Sequence, residues 1–251
     1  MRTLAGICLP TFLLTLLLAS RALAFEGVVD AKVMSGPQTV VDMKATYGKN
    51  GDVRIDTNAK APSGQTMRAT TIMPAKGNTY YTLVHEQKVA VLMSYDALRA
   101  PNEPAGEADK EPNVEVKKLG KAKISGMDTQ HVRIIDKDSK AEFDLWMTDK
   151  YPADLWTRAF KGRGLGMDPG GEQRSAALRK YGISPGFSLK MTVKDGENPV
   201  VTFLVDRIEE TSIPANSFQV PSEYERIQAP AQAGAPADSK APEPSGQVPR
   251  P

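Results

Sequence analysis

Alternation of apolar and polar residues with period two runs through most of this chain and limits the folds open to it. It is clear in residues 29–33, 40–47 and 53–58, and Asn50-Gly51 between the last two is a strong β-hairpin signal. Similar segments follow at 66–73, 79–85, 88–95, 114–118, 122–125, 129–135, 140–148, 187–194 and 200–209. Because helices do not alternate with these strands, we expect a mainly β fold, an antiparallel sheet in which consecutive strands pair.

Two short helices are predicted to interrupt the strands. The first follows Pro152, a residue tolerated in a first helical turn, and its apolar stripe consists of Leu155, Trp156, Ala159 and Phe160. The second covers 172–181 and ends at Gly182. Between them, residues 162–171 contain five glycines and predict a loop or moving lid, and a polar loop is predicted at 97–113.

The first 24 residues have the pattern of a secretory signal peptide. A basic start at Arg2 precedes an apolar run at 4–19, and Ala22-Leu23-Ala24 places small residues at the −3 and −1 positions. We therefore expect cleavage after Ala24 and a periplasmic product. An uncleaved membrane anchor is the alternative, for which the apolar run is slightly short. Lipidation at Cys8 is disfavoured because almost no basic or apolar region precedes it.

Cysteine usage and charge exclude several classes of function. Cys8 is the only cysteine, so the 227 residues after Ala24 have no disulfide, no thiolate metal site and no cysteine nucleophile. Those residues carry 30 Lys+Arg and 30 Asp+Glu, which gives no electrostatic argument for nucleic-acid binding. No second apolar run approaches the length of a membrane span, so no transmembrane segment is expected after cleavage.

The C-terminal residues 229–251 consist mainly of Ala, Pro, Gln, Gly and Ser. Such a segment buries too little apolar area to offset its conformational entropy, so we expect a disordered tail with polyproline II character. A spacer toward an envelope partner remains an alternative role for it. Residues 25–228 are then one domain of about 200 residues.

The order of segments resembles that of a known family. The motifs that carry the resemblance are residues 25–29 (FEGVV), 51–56 (GDVRID), 120–126 (GKAKISG), 142–147 (EFDLWM) and 216–224 (NSFQVPSEY). They are typical of an uncharacterised family of exported bacterial domains, similar in layout to outer-membrane lipoprotein carriers and to the sensor domains of envelope-stress regulators. The resemblance implies a strongly curved antiparallel sheet, an unclosed half-barrel, with two short helices across its concave face. It implies no catalytic residues.

The sequence carries no motif that names a reaction. His85 and His131 lie in different predicted strands, and neither has the spacing of a zinc site. The acid pairs Asp52/Asp56 and Glu142/Asp144 are expected to lie on solvated strand faces rather than across a cleft. We therefore expect no catalytic residue, no metal and no cofactor, and an enzyme is the least favoured class.

The apolar side of the sheet offers the one candidate binding site. Methionine is frequent after residue 24, and flexible thioethers suit irregular apolar ligands, although ordinary core filling is the simpler explanation. In the candidate site, Trp156 and Phe160 of the first helix cover a concave surface formed by Met67, Met73, Phe143, Leu145 and Met147. The leading hypothesis is a non-enzymatic periplasmic protein that binds a lipid, an acyl chain or a lipidated partner there. The alternative is an envelope protein-interaction or sensor module with no small-molecule ligand.

Overall fold

The computed structural model describes residues 25–61, 63–95, 113–160, 172–196 and 198–229. The predicted signal peptide, nearly all of the predicted polar loop, the glycine-rich loop at 162–171 and the predicted tail from residue 230 lie outside them.

The main elements of the described part of the chain are twelve strands and two α-helices, with one turn of 3-10 helix at Ala215–Phe218. The strands are β1 Gly27–Ser35, β2 Gln38–Tyr47, β3 Val53–Lys60, β4 Thr66–Met73, β5 Thr79–Val84, β6 Val89–Ser94, β7 Val114–Ile124, β8 Met127–Asp136, β9 Glu142–Thr148, β10 Phe187–Asp195, β11 Asn198–Glu210 and β12 Glu225–Gln228. The helices are α1 Leu155–Ala159 and α2 Glu172–Lys180. The antiparallel meander is confirmed, with the two segments expected at 114–118 and 122–125 forming one strand.

All twelve strands belong to one open sheet, in the order β12-β6-β5-β4-β3-β2-β1-β11-β10-β9-β8-β7. Consecutive strands pair antiparallel from β1 to β6 and from β7 to β11. β1 pairs antiparallel with β11 near the centre, and β12 joins β6 in parallel. β12 was not expected from the sequence, because its four residues, Glu-Arg-Ile-Gln, are too few to show an alternation. The β2–β3 connection turns at Gly51, whose φ of 92° favours glycine.

The sheet curves around α1. This helix contacts both β3 and β10, which are four strand spacings apart, or about 19 Å in a flat sheet. A helix is only about 10 Å across, so contact with both strands requires a curved sheet. The expected unclosed half-barrel with short helices on its concave side is confirmed. We call this side the inner face and the opposite side the outer face.

The main core lies on the inner face and draws on both halves of the sheet. Val29, Ile55, Leu145, Met191 and Phe203 are each at most 2% exposed there. Leu155 and Trp156 of α1 complete it, and Leu178 of α2 packs against its rim. α2 ends as predicted at Gly182, whose φ of 65° allows the amide of Ile183 to donate to the carbonyl of Leu178.

A second, smaller core lies on the outer face. Residues 211–229, which we call the strap, cross β3 to β6 on that side and end as β12. Val220 of the strap packs with Ile72, Leu83 and Ala90, and Phe218 lies against this cluster. Phe218 and Val220 belong to this separate cluster rather than to the main core, because the strap returns over the outer face.

Candidate functional site

The structure brings together six of the seven residues of the predicted apolar site. Trp156, Leu145, Met147 and Met73 are buried in the main core, with Phe143 and Phe160 packed against it. Met67 shares a strand face with Met73 but is 56% exposed. The two lie six residues apart on β4, a distance of about 20 Å along a strand, so Met67 does not reach the surface that Trp156 covers.

Trp156 fills the concavity through aromatic contacts. Its ring stacks on Phe187 with centroids 5.2 Å apart, meets Phe203 edge-on at 4.7 Å and lies 5.7 Å from Phe160. Its indole N–H donates to the carbonyl of Ser188 at 2.9 Å, which satisfies the one polar atom of the side chain. The inner face is therefore closed by α1 in this structure.

The rest of α1 is held at its two ends. The hydroxyl of Tyr47 donates to the carbonyl of Leu155 at 3.1 Å. The guanidinium of Arg158 lies 5.5 Å from the centre of the Tyr47 ring, and its Nη2 atom is buried without a hydrogen-bond partner among the described residues. Pro152 precedes the helix rather than forming its first turn, and its carbonyl accepts from the amide of Leu155 at 3.4 Å.

An open groove of about 720 Å³ continues the inner face beyond the closed core. It lies between the β7–β8 hairpin, the end of β9 and the segment 184–186 that leads into β10. We call it the lysine groove, and its lining is Lys118, Gly120, Lys121, Asp128, Thr129, Gln130, Met147, Thr148, Asp149, Ser184, Pro185 and Gly186. Met147 belongs to both this groove and the main core, so the groove is continuous with the predicted apolar site.

A close backbone approach fixes one wall of the lysine groove. A Cβ atom on Gly186 would lie 2.6 Å from the carbonyl oxygen of Thr148, which is closer than real Cβ atoms come. Gly186 therefore lets the segment before β10 run directly against the end of β9. The volume falls within the range typical of small-molecule sites.

The sequence analysis missed the two lysines of this groove. Lys118 and Lys121 are three residues apart, a spacing that places residues on opposite faces of a regular strand. The register of β7 shifts between Lys118 and Gly120, so Lys118 pairs with Val132 and Lys121 with Gln130, both on the inner face. Gly120 has a φ of 116°, and an isolated glycine inside a strand pattern is the signal that could have revealed the bulge.

The outer face of β8 to β10 holds a buried charge cluster. The side chain of Asp144 is 3% exposed and accepts from Arg133 Nε at 2.7 Å and Arg133 Nη2 at 3.0 Å, and it pairs with Lys194 Nζ at 2.9 Å. Burial by itself would raise the pKa of Asp144, but the hydrogen bonds from Arg133 and Lys194 outweigh it and hold the pKa below its usual value. The expectation that Asp144 lies on a solvated face is wrong, because two cations converge on it from neighbouring strands.

His131 and Trp146 form an aromatic layer beside that cluster. Their rings stack with centroids 4.1 Å apart, and Lys190 Nζ lies 4.4 Å from the centre of the Trp146 ring. Burial lowers the pKa of His131; Asp144 opposes this shift, while the charges of Arg133 and Lys194 reinforce it. Both faces of the Trp146 ring are covered, so the layer is packing rather than an open platform for a ligand.

His85 lies in a hydrogen-bonded chain between β3 and the strap. Thr70 Oγ1 donates to Asp56 at 2.5 Å, His85 Nε2 lies 2.8 Å from Thr70 Oγ1, and His85 Nδ1 lies 2.6 Å from the hydroxyl of Tyr224. Because the hydroxyl proton of Thr70 is donated to Asp56, Thr70 can only accept from His85. His85 therefore donates from Nε2, and its Nδ1 accepts from the hydroxyl of Tyr224. Neither histidine has metal-site spacing in the sequence, and each lies in a packed polar cluster.

The described residues contain no group of three or more His, Cys, Asp or Glu side chains placed to hold a metal ion. Within the same residues, no helix combines the length and apolarity needed to cross a membrane. The lysine groove is an open concave site on the inner face of the described sheet.

Comparison with known proteins identifies the family. The model of the family described as "Domain of unknown function (DUF4412)" matches residues 25–224. The chain belongs to the DUF4412 family. The matched residues extend from Phe25 to Tyr224 of the strap. No curated protein matches this DUF4412 chain.

Solved structures resemble the DUF4412 domain only distantly. The MucA/MucB complex of Pseudomonas aeruginosa matches at 9% identity and a TM-score of 0.34, over 82% of this chain and 58% of that one. A Vibrio parahaemolyticus domain described as an outer-membrane lipoprotein-sorting protein domain matches at 10% identity and a TM-score of 0.29, over 76% of this chain and 87% of that one. A DUF1329 family protein from Desulfovibrio piger matches at 8% identity and a TM-score of 0.28, over 78% and 90%. The chain thus spans less than two thirds of the MucB structure, and at these TM-scores the likenesses carry no argument about function.

Proposed function

We propose that this DUF4412 protein is an exported, non-enzymatic envelope protein that binds a lipid, an acyl chain or a lipidated partner on the inner face of its sheet. The site consists of Met73, Phe143, Leu145, Met147, Trp156 and Phe160. In the state described here α1 occupies it, and the ligand takes the place of Trp156 and Phe160 when α1 moves away.

One observation carries this proposal. A curved sheet of twelve strands has the centre of its inner face covered by a helix of five residues, and an open groove of about 720 Å³ leads to the buried Met147. A helix this short has little stability of its own and depends on the contacts of Leu155 and Trp156. The cover of the apolar site is therefore held by a few side chains that an apolar ligand can replace.

The size of the ligand follows from what it must replace. A tryptophan buries about 150–250 Å², which corresponds to roughly 4–6 kcal/mol at about 25 cal/mol per Å². Each buried methylene of an acyl chain contributes about 0.8 kcal/mol. Some five to eight methylenes are then needed to offset the loss of Trp156, so only a long acyl chain binds with net affinity.

The test starts with native mass spectrometry of the chain from Phe25, purified from the periplasm, followed by organic extraction and lipid analysis. We expect a bound acyl species at one per protein. A Trp146→Phe variant leaves Trp156 as the only tryptophan, and its fluorescence emission is expected to shift to longer wavelength when palmitate is added.

The matched control is Trp156→Phe, in which the remaining fluorescence comes from Trp146 on the outer face. Its emission is not expected to shift when palmitate is added. The proposal fails if the purified protein carries no lipid and Trp156 emission is unchanged at saturating palmitate.

A protein-interaction module is the second candidate. One observation favours it: the strap ends on the edge strand β12, whose four residues are all exposed, so the tail begins beside an open sheet edge. Under this hypothesis, deletion of residues 230–251 abolishes capture of an envelope protein but leaves acyl binding unchanged. Pull-down with both forms of the chain distinguishes the two functions.

A further inference from the structure

The lysine groove has a charge pattern that its bulged strand creates. Without the extra residue in β7, Lys121 would face the outer side of the sheet, away from Lys118. The bulge at Leu119 and Gly120 brings Lys121 to the inner face beside Gln130 of β8, the same face on which Lys118 lies beside Val132. Bulges are frequent beside functional sites, where they re-aim a side chain. The placement of these two charges therefore favours a ligand site in the groove.

Neither lysine makes a hydrogen bond or an ion pair within the described part of the chain. The acids of the groove do not cancel both of them. Asp128 pairs with Lys123 at 3.2 Å, which leaves Asp149 as the remaining carboxylate of the lining against two lysines. The open end of the inner face therefore carries a local positive charge, in a domain with no net charge.

The floor of the groove is apolar where it meets the core. Met147 is 4% exposed and belongs to the main core, and Pro185 and Gly186 lie beside it. An elongated ligand that enters the core past Met147 leaves its other end between Lys118 and Lys121. The two ends of such a ligand meet different chemistry: thioether and ring carbons inside, and ammonium groups at the mouth.

We propose that the lysine groove receives the anionic headgroup of a single-chain amphiphile, a carboxylate or a phosphate ester, with Lys118 and Lys121 as its ligands. This inference rests on the proposed function and narrows it, because it assigns both the sign of the headgroup charge and the direction in which the acyl chain lies. The chain runs from the groove past Met147 toward Trp156.

The experiment compares probes that share a chain and differ in charge. Palmitate, hexadecyl phosphate and the neutral 1-monopalmitoylglycerol are titrated below their aggregation thresholds into the Trp146→Phe form of the chain from Phe25, with Trp156 emission and native mass spectrometry as readouts. Inorganic phosphate is titrated separately. Two partly exposed ion pairs correspond to about a tenfold preference for the anionic probes, which decreases as salt is raised.

The variants separate the groove from general surface charge. Lys118→Gln with Lys121→Gln is expected to abolish the tenfold preference and leave binding of the neutral probe unchanged. Lys117→Gln is the matched control, because Lys117 is on the same strand, faces the outer side and pairs with Glu115 at 3.2 Å. It is expected to keep the preference.

Each other outcome overturns the inference in a recognisable way. Equal binding of palmitate and monopalmitoylglycerol, unaffected by the double variant, overturns the headgroup site and leaves the proposed function standing. Lysine-dependent binding of inorganic phosphate as tight as that of hexadecyl phosphate shows a site for free anions and overturns the amphiphile. Absence of binding for all three chain-bearing probes overturns both proposals.

Discussion

At the scale of single residues, Asp144 shows how a polar position in a strand becomes part of the interior. Its neighbours Phe143 and Leu145 point to the inner face, and Asp144 points to the outer face as alternation predicts. Arg133 of β8 and Lys194 of β10 then cover it until 3% of its side chain is exposed. The sequence determines which face Asp144 lies on, but the burial depends on side chains 11 and 50 residues away along the chain.

Replacement of this carboxylate is expected to be costly. Asp144→Asn removes the negative charge and leaves Arg133 and Lys194 facing each other. Because those two side chains are 28% and 19% exposed, part of the loss is recovered by hydration, and we expect the free energy of unfolding to fall by about 2–3 kcal/mol. Urea denaturation measures it. Asp206→Asn is the control, since Asp206 is 47% exposed in its pair with Lys32 and its loss costs at most about 1 kcal/mol.

The same residue predicts a pH dependence. The folded-state pKa of Asp144 is below its unfolded value of about 3.9, so the stabilisation is complete above that value and is lost as pH falls through the folded pKa. Asp56, whose pKa is lowered in spite of burial by hydrogen bonds from Arg54 and Thr70, acts in the same direction. The stability difference between wild type and Asp144→Asn should therefore shrink as pH falls below about 4. A difference that grows below about pH 4 would contradict the assignment.

At the scale of elements, the strap adds a layer that strand patterns do not reveal. Gly48 makes room for it, because a Cβ atom there would lie 2.8 Å from the ring of Phe218. Arg54 donates to the carbonyl of Ser217 at 3.3 Å, and the amide of Glu225 donates to the carbonyl of Lys88 at 2.9 Å. The hydroxyl of Tyr224 on His85 joins these contacts near the start of β12.

Removal of that hydroxyl is expected to loosen the strap without unfolding the domain. Tyr224→Phe keeps the ring against His85 but leaves His85 Nδ1 without its donor, which costs about 1 kcal/mol. Hydrogen exchange should become faster at the amides of 225–229 and remain unchanged in β1. Tyr81→Phe is the control, because Tyr81 packs on the same cluster and its hydroxyl has no hydrogen bond to the described residues. Equal exchange in the two variants would show that the contact with His85 does not hold the strap.

Most elements followed from local signals, and the exceptions have identifiable physical reasons. Alternation and the Asn50-Gly51 turn predicted β1 to β6 and their pairing, since register and face are set within a few residues. The bulge at Gly120 was missed because the change of phase that it introduces divided β7 into two predicted segments, 114–118 and 122–125. β12 was missed because a four-residue strand gains its stability from β6 rather than from its own pattern.

At the scale of the whole molecule, the Ala- and Pro-rich residues 230–251 are expected to contribute little to the free energy of unfolding. The amide of Ala229 donates to the carbonyl of Leu92 at 3.0 Å, and the residues after it are rich in Ala and Pro. Deletion of 230–251 should change the free energy of unfolding by less than about 0.5 kcal/mol. Deletion of 214–251 removes Phe218 and Val220 from the outer-face core and should cost about 4 kcal/mol or more, at roughly 1.5–3 kcal/mol per buried side chain. Thermal and urea unfolding of both truncations test this, and a large loss in the shorter deletion would assign the tail a structural role.

The candidate site could be predicted only in part, because its residues come from both halves of the sheet. The apolar stripe of α1 and the inner face of β9 were visible locally. Two features could not be predicted locally: the contact of Trp156 with Phe187 and Phe203, and the exposure of Met67. Both depend on the curvature of the sheet, which is a property of all twelve paired strands.

The central pairing of β1 with β11 has a consequence for how the chain acquires this structure. Residues 27–35 cannot complete their backbone hydrogen bonds until residues 201–210 have been synthesised. The first strand of the chain therefore pairs fully only when nearly the last strand is available. Contacts so distant in sequence slow folding, and the domain closes only after nearly its whole length has been synthesised. Until then the centre of the sheet is incomplete, and an incompletely folded chain is the state in which a protein with the predicted signal peptide can be exported through a narrow channel.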